Sequence, residues 1–173
     1  MSVSKSVRTK TEEFIRKYIN EWTSLPIDIS NIIKEENIDV EYRNLSDELS
    51  GLLIIQGNSK LIGVEKTHHS VRQRFTLAHE LGHFVLHNEV SSVFVDVQLF
   101  KRKSEGYSSR EERMEQEAND FAASILMPDY FVRREVEKLN RDLHDDDNVY
   151  KLADIFKVSS AAMTYRLINL GLI

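Results

Sequence analysis

The chain contains no cysteine, and that absence removes two possibilities at once: a disulfide-stapled secreted fold and a metal site built on thiolates. Any metal here must be held by histidine and carboxylate. Only two prolines, Pro26 and Pro128, punctuate 173 residues. No repeat or low-complexity linker divides them, so residues 1–173 read as a single domain. No apolar run approaches the roughly 18 residues needed to span a bilayer, and the first residues lack the apolar core of a secretory signal. Both absences predict a soluble, cytoplasmic protein. Basic charge is in the minority, with 23 Lys and Arg against 28 Asp and Glu. A net charge of -5 gives no drive toward phosphate backbones, so direct nucleic-acid binding is not expected. A basic DNA-binding protein is electrostatically the better partner. With 41% hydrophobic and 29% charged residues the chain has the usage of an ordinary folded core.

What is present concentrates in His79-Glu80-Leu81-Gly82-His83. Residues four apart on a helix lie on one face, so two imidazoles can share one metal ion. Zinc takes histidine nitrogens at about 2.0 to 2.1 Å and, in catalytic sites, keeps a position open for water. Glu80, beside the first imidazole, is the expected general base. Ser70 and Gln73 have the spacing of a capping box and predict a helix start. Phe75, Leu77, Ala78, Leu81, Phe84 and Val85 continue at helical spacing, leaving the histidine side for a cleft.

A third protein ligand is required. His87 lies eight residues beyond His79, about 12 Å along a helix axis, too far to share one ion with it. It fits better as a residue supporting a ligand or as a helix-end cation. The alternative is a second, acidic helix from Ser109 to Met127, with Ser109 and Glu112 as its capping box. Met114, Ala118, Phe121, Ala122 and Ile125 make its buried stripe, and Glu117 adjoins that stripe. A carboxylate buried there is costly unless paired or metal-bound. Glu117 is therefore the expected third ligand and Glu115 the alternative, with Glu111 and Glu112 on a solvated face.

The run Arg74-Phe75-Thr76-Leu77-Ala78-His79-Glu80-Leu81-Gly82-His83, then Leu86-His87, then Glu117-Ala118-Asn119-Asp120-Phe121-Ala122-Ala123 and Leu126-Met127-Pro128, resembles the ImmA/IrrE family of metallopeptidases. The resemblance covers roughly residues 26 to 135, and more loosely Leu152 to Leu167. It implies one Zn(II) per chain on His79, His83 and Glu117, with Glu80 as base. It also implies a substrate class, helix-turn-helix transcriptional repressors cut to relieve repression in mobile-element or stress-response control. Asp120, three residues beyond Glu117, is placed to orient a ligand imidazole. His69, Arg74, His87, Tyr107 and Tyr130 are unranked candidates for a donor to the developing oxyanion. A protein that grips and sequesters a repressor without cutting it is the competing reading, disfavoured by the intact Glu80.

The fold expected is α+β: a helix-rich zincin-like core over about residues 26–140, a small, mostly antiparallel sheet and a helical extension over about 145–173. Residues 9 to 22 predict an amphipathic helix with Phe14, Ile15, Tyr18, Ile19 and Trp22, and a short helix runs from after Pro26 to about Glu36. Val40 and Tyr42 alternate as a strand. Leu52 to Gln56 and Lys60 to Val64 flank Gly57-Asn58-Ser59 as a hairpin, and Val93 to Val95 read as an edge strand. Ser91 to Ser108, with Lys101, Arg102 and Lys103, is either a rim of the cleft or a surface loop. Residues 149–157 and 161–170 have helix-turn-helix spacing, yet only Arg166 offers a cation on the second helix and Asp145-Asp146-Asp147 precedes the first. That charge pattern argues for packing or substrate docking over reading DNA.

Overall fold

The computed structural model describes residues 4–19, 24–46, 49–97, 109–139, 143 and 146–173. Among these, seven helices and a four-stranded mixed sheet form a helix-rich α+β fold. Helix α1 spans Lys5–Tyr18, with Ser4 as its cap, the hydroxyl accepting from the Val7 amide at 3.3 Å. The expected 9–22 helix therefore begins four residues earlier, where a serine can satisfy an orphan amide. Trp22 lies outside the described residues. Asp28 caps α2, Ile29–Glu35, whose Ile29, Ile32 and Ile33 are buried at helical spacing.

Strands β1 (Asp39–Arg43), β2 (Leu49–Gln56), β3 (Ser59–Glu65) and β4 (Val93–Val97) pair in the order β1-β3-β2-β4. Strands β2 and β3 are the expected hairpin around Gly57-Asn58, antiparallel with Leu53 opposite Ile62. Strand β4 is antiparallel to β2, and β1 is parallel to β3. The sheet is thus mostly antiparallel with one parallel edge. Leu53, Ile62 and Val64 are fully buried, and β4 lies at one edge.

Helix α3 spans Ser70–His87 and packs on the sheet on one side and on α4, Ser109–Leu126, on the other. The capping box expected at Ser70 and Gln73 does not form. His69 caps α3 instead, its Nδ1 accepting from the Val71 amide at 3.3 Å, while the Gln73 amide nitrogen donates to the carbonyls of Glu65 and Lys66. Gln73 thereby ties the helix to the end of β3. Ser109, expected to cap α4, is its first helical residue, and the position before it lies outside the described residues.

Three helices complete the chain: α5 (Asp129–Lys138), α6 (Asp146–Phe156) and α7 (Ser160–Asn169). Arg166 on α7 donates from Nε to the Met127 carbonyl at 2.9 Å and from Nη1 to Ser124 Oγ at 3.3 Å, stapling the C-terminal pair to the end of α4. The one cation of the helix-turn-helix-like second helix is thus spent on internal packing. Gly171, expected as a helix stop, has φ +65, and the Leu172 and Gly171 amides close back on the Leu167 and Ile168 carbonyls. That is the left-handed helix ending in which glycine avoids a Cβ penalty. Among the described residues, no helix is long and apolar enough to cross a membrane.

Candidate metal centre

The site sits where α3 crosses α4. A Cβ added at Gly82 would lie 3.1 Å from the Ala118 carbonyl oxygen and 3.2 Å from its Cα. The glycine of His79-Glu80-Leu81-Gly82-His83 is therefore where the second helix comes closest. Around this point α4 divides its polar side chains. Glu115 and Asn119, four apart, reach toward His79, and Glu117 reaches the other way toward His87.

His79, His83 and Glu115 form the cluster. The two Nε2 atoms are 3.1 Å apart, and the Glu115 carboxylate lies 3.3 Å from His79 Nε2 and 3.2 Å from His83 Nε2. Both imidazoles are about 1% exposed. These are the only such group of three or more potential ligand residues among those described. Four ligands at about 2.05 Å in a tetrahedron stand about 3.3 Å from one another, so the observed separations match the edges around one zinc-sized ion.

Proton positions strengthen the fit. Asn119 Oδ1 lies 3.0 Å from His79 Nδ1 and can only accept, so His79 carries its proton on Nδ1. Glu117 Oε2 lies 3.0 Å from His87 Nε2, which must then donate. A neutral His87 is left with a bare Nδ1, and that atom is 3.2 Å from His83 Nδ1, which donates to it. Both Nε2 atoms therefore present lone pairs to each other and to a carboxylate. One ligand atom from each of the three residues converges on this point, and the group could hold a cation.

The electrostatics agree with neutral ligands. Burial pushes the pKa of His83 down, against the pull of Glu115, and burial likewise lowers His87 against Glu117. Phe94 of β4 stacks on His83, with ring centroids 4.7 Å apart and planes at 19°. Glu80, fully buried, faces β2: a Cβ at Gly51 would stand 3.0 Å from Glu80 Oε1 and 2.3 Å from Thr76 Cγ2. Only glycine lets that strand approach the helix face carrying the expected base.

The expected site residues fall at different distances from this cluster. Glu117 is buried, as its place beside the apolar stripe suggests, but its partners are His87 and Arg113 Nε at 3.2 Å, and Glu115 takes the place by the ligand imidazoles. The interaction expected of Asp120 belongs to Asn119. Asp120 is half-buried and its carboxyl is pushed up by burial, opposed by Arg166 and Arg8. Among the unranked oxyanion candidates, His69 serves as the cap of α3, and the Arg74 guanidinium donates to the Ile27 carbonyl. Tyr130 is exposed and its ring packs edge-on against Phe131. His87 adjoins a ligand imidazole. Tyr107 and the Lys101-Arg102-Lys103 run lie outside the described residues. Asn119 and Phe94 were missed; Asn119 could have been found from its i, i+4 relation to Glu115.

A helix carrying His79-Glu80-Leu81-Gly82-His83, with a carboxylate delivered from the next helix, makes a group that could hold a metal ion. The family model described as peptidase M78, IrrE N-terminal-like domain, matches residues 33–168, and the chain belongs to this family. It is also 29% identical over 127 residues to uncharacterized immunity region protein 2 of Bacillus phage phi105, covering 73% of this chain and 71% of that protein. A solved structure titled Mycobacterium tuberculosis transcriptional regulator shares the fold with a TM-score of 0.65 at 19% identity. That match covers 92% of this chain but only 46% of the regulator, so the chain spans less than half of that protein's length.

Proposed function

We propose that the protein is a zinc-dependent endopeptidase that cleaves a helix-turn-helix transcriptional repressor. The observation that carries the hydrolytic reading is the convergence of His79 Nε2, His83 Nε2 and the Glu115 carboxylate, with Glu80 next to His79 in the chain. His79, His83 and Glu115 would hold the ion. Bound there, Zn(II) would supply a Lewis acid that polarises the scissile carbonyl and lowers the pKa of water. Glu80 takes the proton of the attacking water and passes it to the leaving amine. Asn119 and His87 hold the His79 and His83 imidazoles through Nδ1, leaving each Nε2 on the side of Glu115 where an ion would be held.

Membership of a peptidase family and likeness to a phage immunity-region protein support a protein substrate tied to repression. The net charge of -5 suits a basic DNA-binding partner better than DNA itself. The test is incubation of the zinc-loaded protein with the helix-turn-helix repressor encoded nearest to it, beside Glu80→Gln. Discrete fragments with the wild type, slowed about 10²- to 10⁴-fold in Glu80→Gln, are expected. A stable complex of intact repressor with both proteins would favour sequestration.

A further inference from the structure

Glu117 and His87 are both buried and ionisable, at 7% and 4% exposure, and neither belongs to the ligand cluster. Their side chains connect to it in one line. Arg113 Nε stands 3.2 Å from Glu117 Oε1, Glu117 Oε2 stands 3.0 Å from His87 Nε2, and His87 Nδ1 stands 3.2 Å from His83 Nδ1. We propose that His87 and Glu117 are positioning residues that dictate which nitrogen of His83 carries the proton, and so set the affinity of the site for its cation. The inference rests on the metal-site reading above.

The control follows from counting protons. An imidazole has two nitrogens and, when neutral, one proton. A carboxylate can only accept, so Glu117 fixes the proton of His87 on Nε2. The remaining lone pair, on Nδ1 of His87, can only accept from His83 Nδ1. His83 then has no proton on Nε2, the atom 3.1 Å from His79 Nε2 and 3.2 Å from Glu115. Reversing any one link would put a proton where the cation binds. A carboxylate at one end of the line also favours the electron donation that a metal-bound imidazole makes. The geometry of α3 provides for this: positions 79, 83 and 87 recur each turn, so the third histidine cannot share the ion yet is stacked one turn beyond the second. Phe94 lies against both His83 and His87, with centroids at 4.7 and 6.3 Å, and keeps the two rings in register. Arg113 is mostly exposed and adds little.

A plain buried ion pair would predict effects on folding alone, so the experiment reads metal affinity and proton position. Zinc dissociation constants are measured by chelator competition for wild type, His87→Phe, Glu117→Gln and the double variant. His87→Phe keeps a ring in the space but removes the acceptor. It should weaken zinc binding about 10- to 100-fold, Glu117→Gln should weaken it in the same direction, and the double variant should be no weaker than His87→Phe alone, because both act along one line. Long-range proton–nitrogen NMR on the wild type, with and without zinc, should show the proton on Nδ1 of His83 and Nε2 of His87. This holds the test open if His87→Phe does not fold. Zinc affinities that match wild type within about twofold, additive losses, or a His87 protonated on Nδ1 would overturn the inference. If wild type binds zinc and the variants bind equally well, only the positioning role fails. If wild type binds none, the metal-site reading fails with it.

Discussion

Glu115 and Glu117 stand two residues apart on one helix, and that spacing sends one carboxylate to His79 and His83 and the other to His87. At 100° per residue both flank the stripe of Met114, Ala118, Phe121, Ala122 and Ile125, by about 80° on opposite sides. Hydrophobic pattern does not separate two such positions, and the sequence reading favours Glu117 over Glu115 for its place beside the stripe. Where α3 crosses α4 at Gly82 and Ala118, Glu115 meets His79 and His83 and Glu117 meets His87. Glu115→Ala should therefore remove zinc binding more completely than the roughly 10- to 100-fold that loss of a supporting partner costs. Equilibrium dialysis with zinc checks this. The pH dependence has a definite sign. His83 and His87 have folded pKa values below the usual 6.5, so below that pH the unfolded chain binds more protons than the folded one. Stability of the metal-free protein should then fall as pH drops through 6.5 toward the folded values and be at its best above it. Thermal melts of zinc-free protein between pH 5.5 and 8 should show this, and a melting temperature that rises on acidification would contradict it.

At the scale of elements, most of the architecture is legible because its signals are local. The β2–β3 hairpin follows from two alternating runs around Gly57-Asn58-Ser59, and the Val93 to Val95 strand falls at the sheet edge as its isolation suggests. Helix starts are less legible. Ser70 and Gln73 have capping-box spacing, but the chain enters α3 from β3 in a path that hands the cap to His69. The parallel β1–β3 pairing is non-local and carries no mark in either strand. At Gly51 the sheet comes too near α3 to leave room for a Cβ. Gly51→Ala would drive a methyl to 2.3 Å from Thr76 Cγ2, and overpacking of this kind costs about 1–3 kcal/mol. Chemical denaturation should show that loss, and Thr76→Ser, which deletes Cγ2, should recover much of it in the double variant. Additive losses would contradict the contact.

At the scale of the whole molecule, the C-terminal helices are bound to the end of α4 by Arg166. Burial lowers the pKa of that guanidinium, although Asp129 and Asp120 pull the other way. Its two hydrogen bonds to Met127 and Ser124 account for the only cation that helix-turn-helix spacing left for DNA. Arg166→Ala should cost about 1–3 kcal/mol of stability, read from denaturant midpoints. The most direct test of the metal centre is anomalous diffraction at the zinc edge from zinc-loaded crystals. One peak about 2.0 to 2.2 Å from His79 Nε2, His83 Nε2 and a Glu115 oxygen is expected, with Glu117 still bonded to His87. A peak ligated by Glu117, or none near His79 and His83, would contradict the assignment.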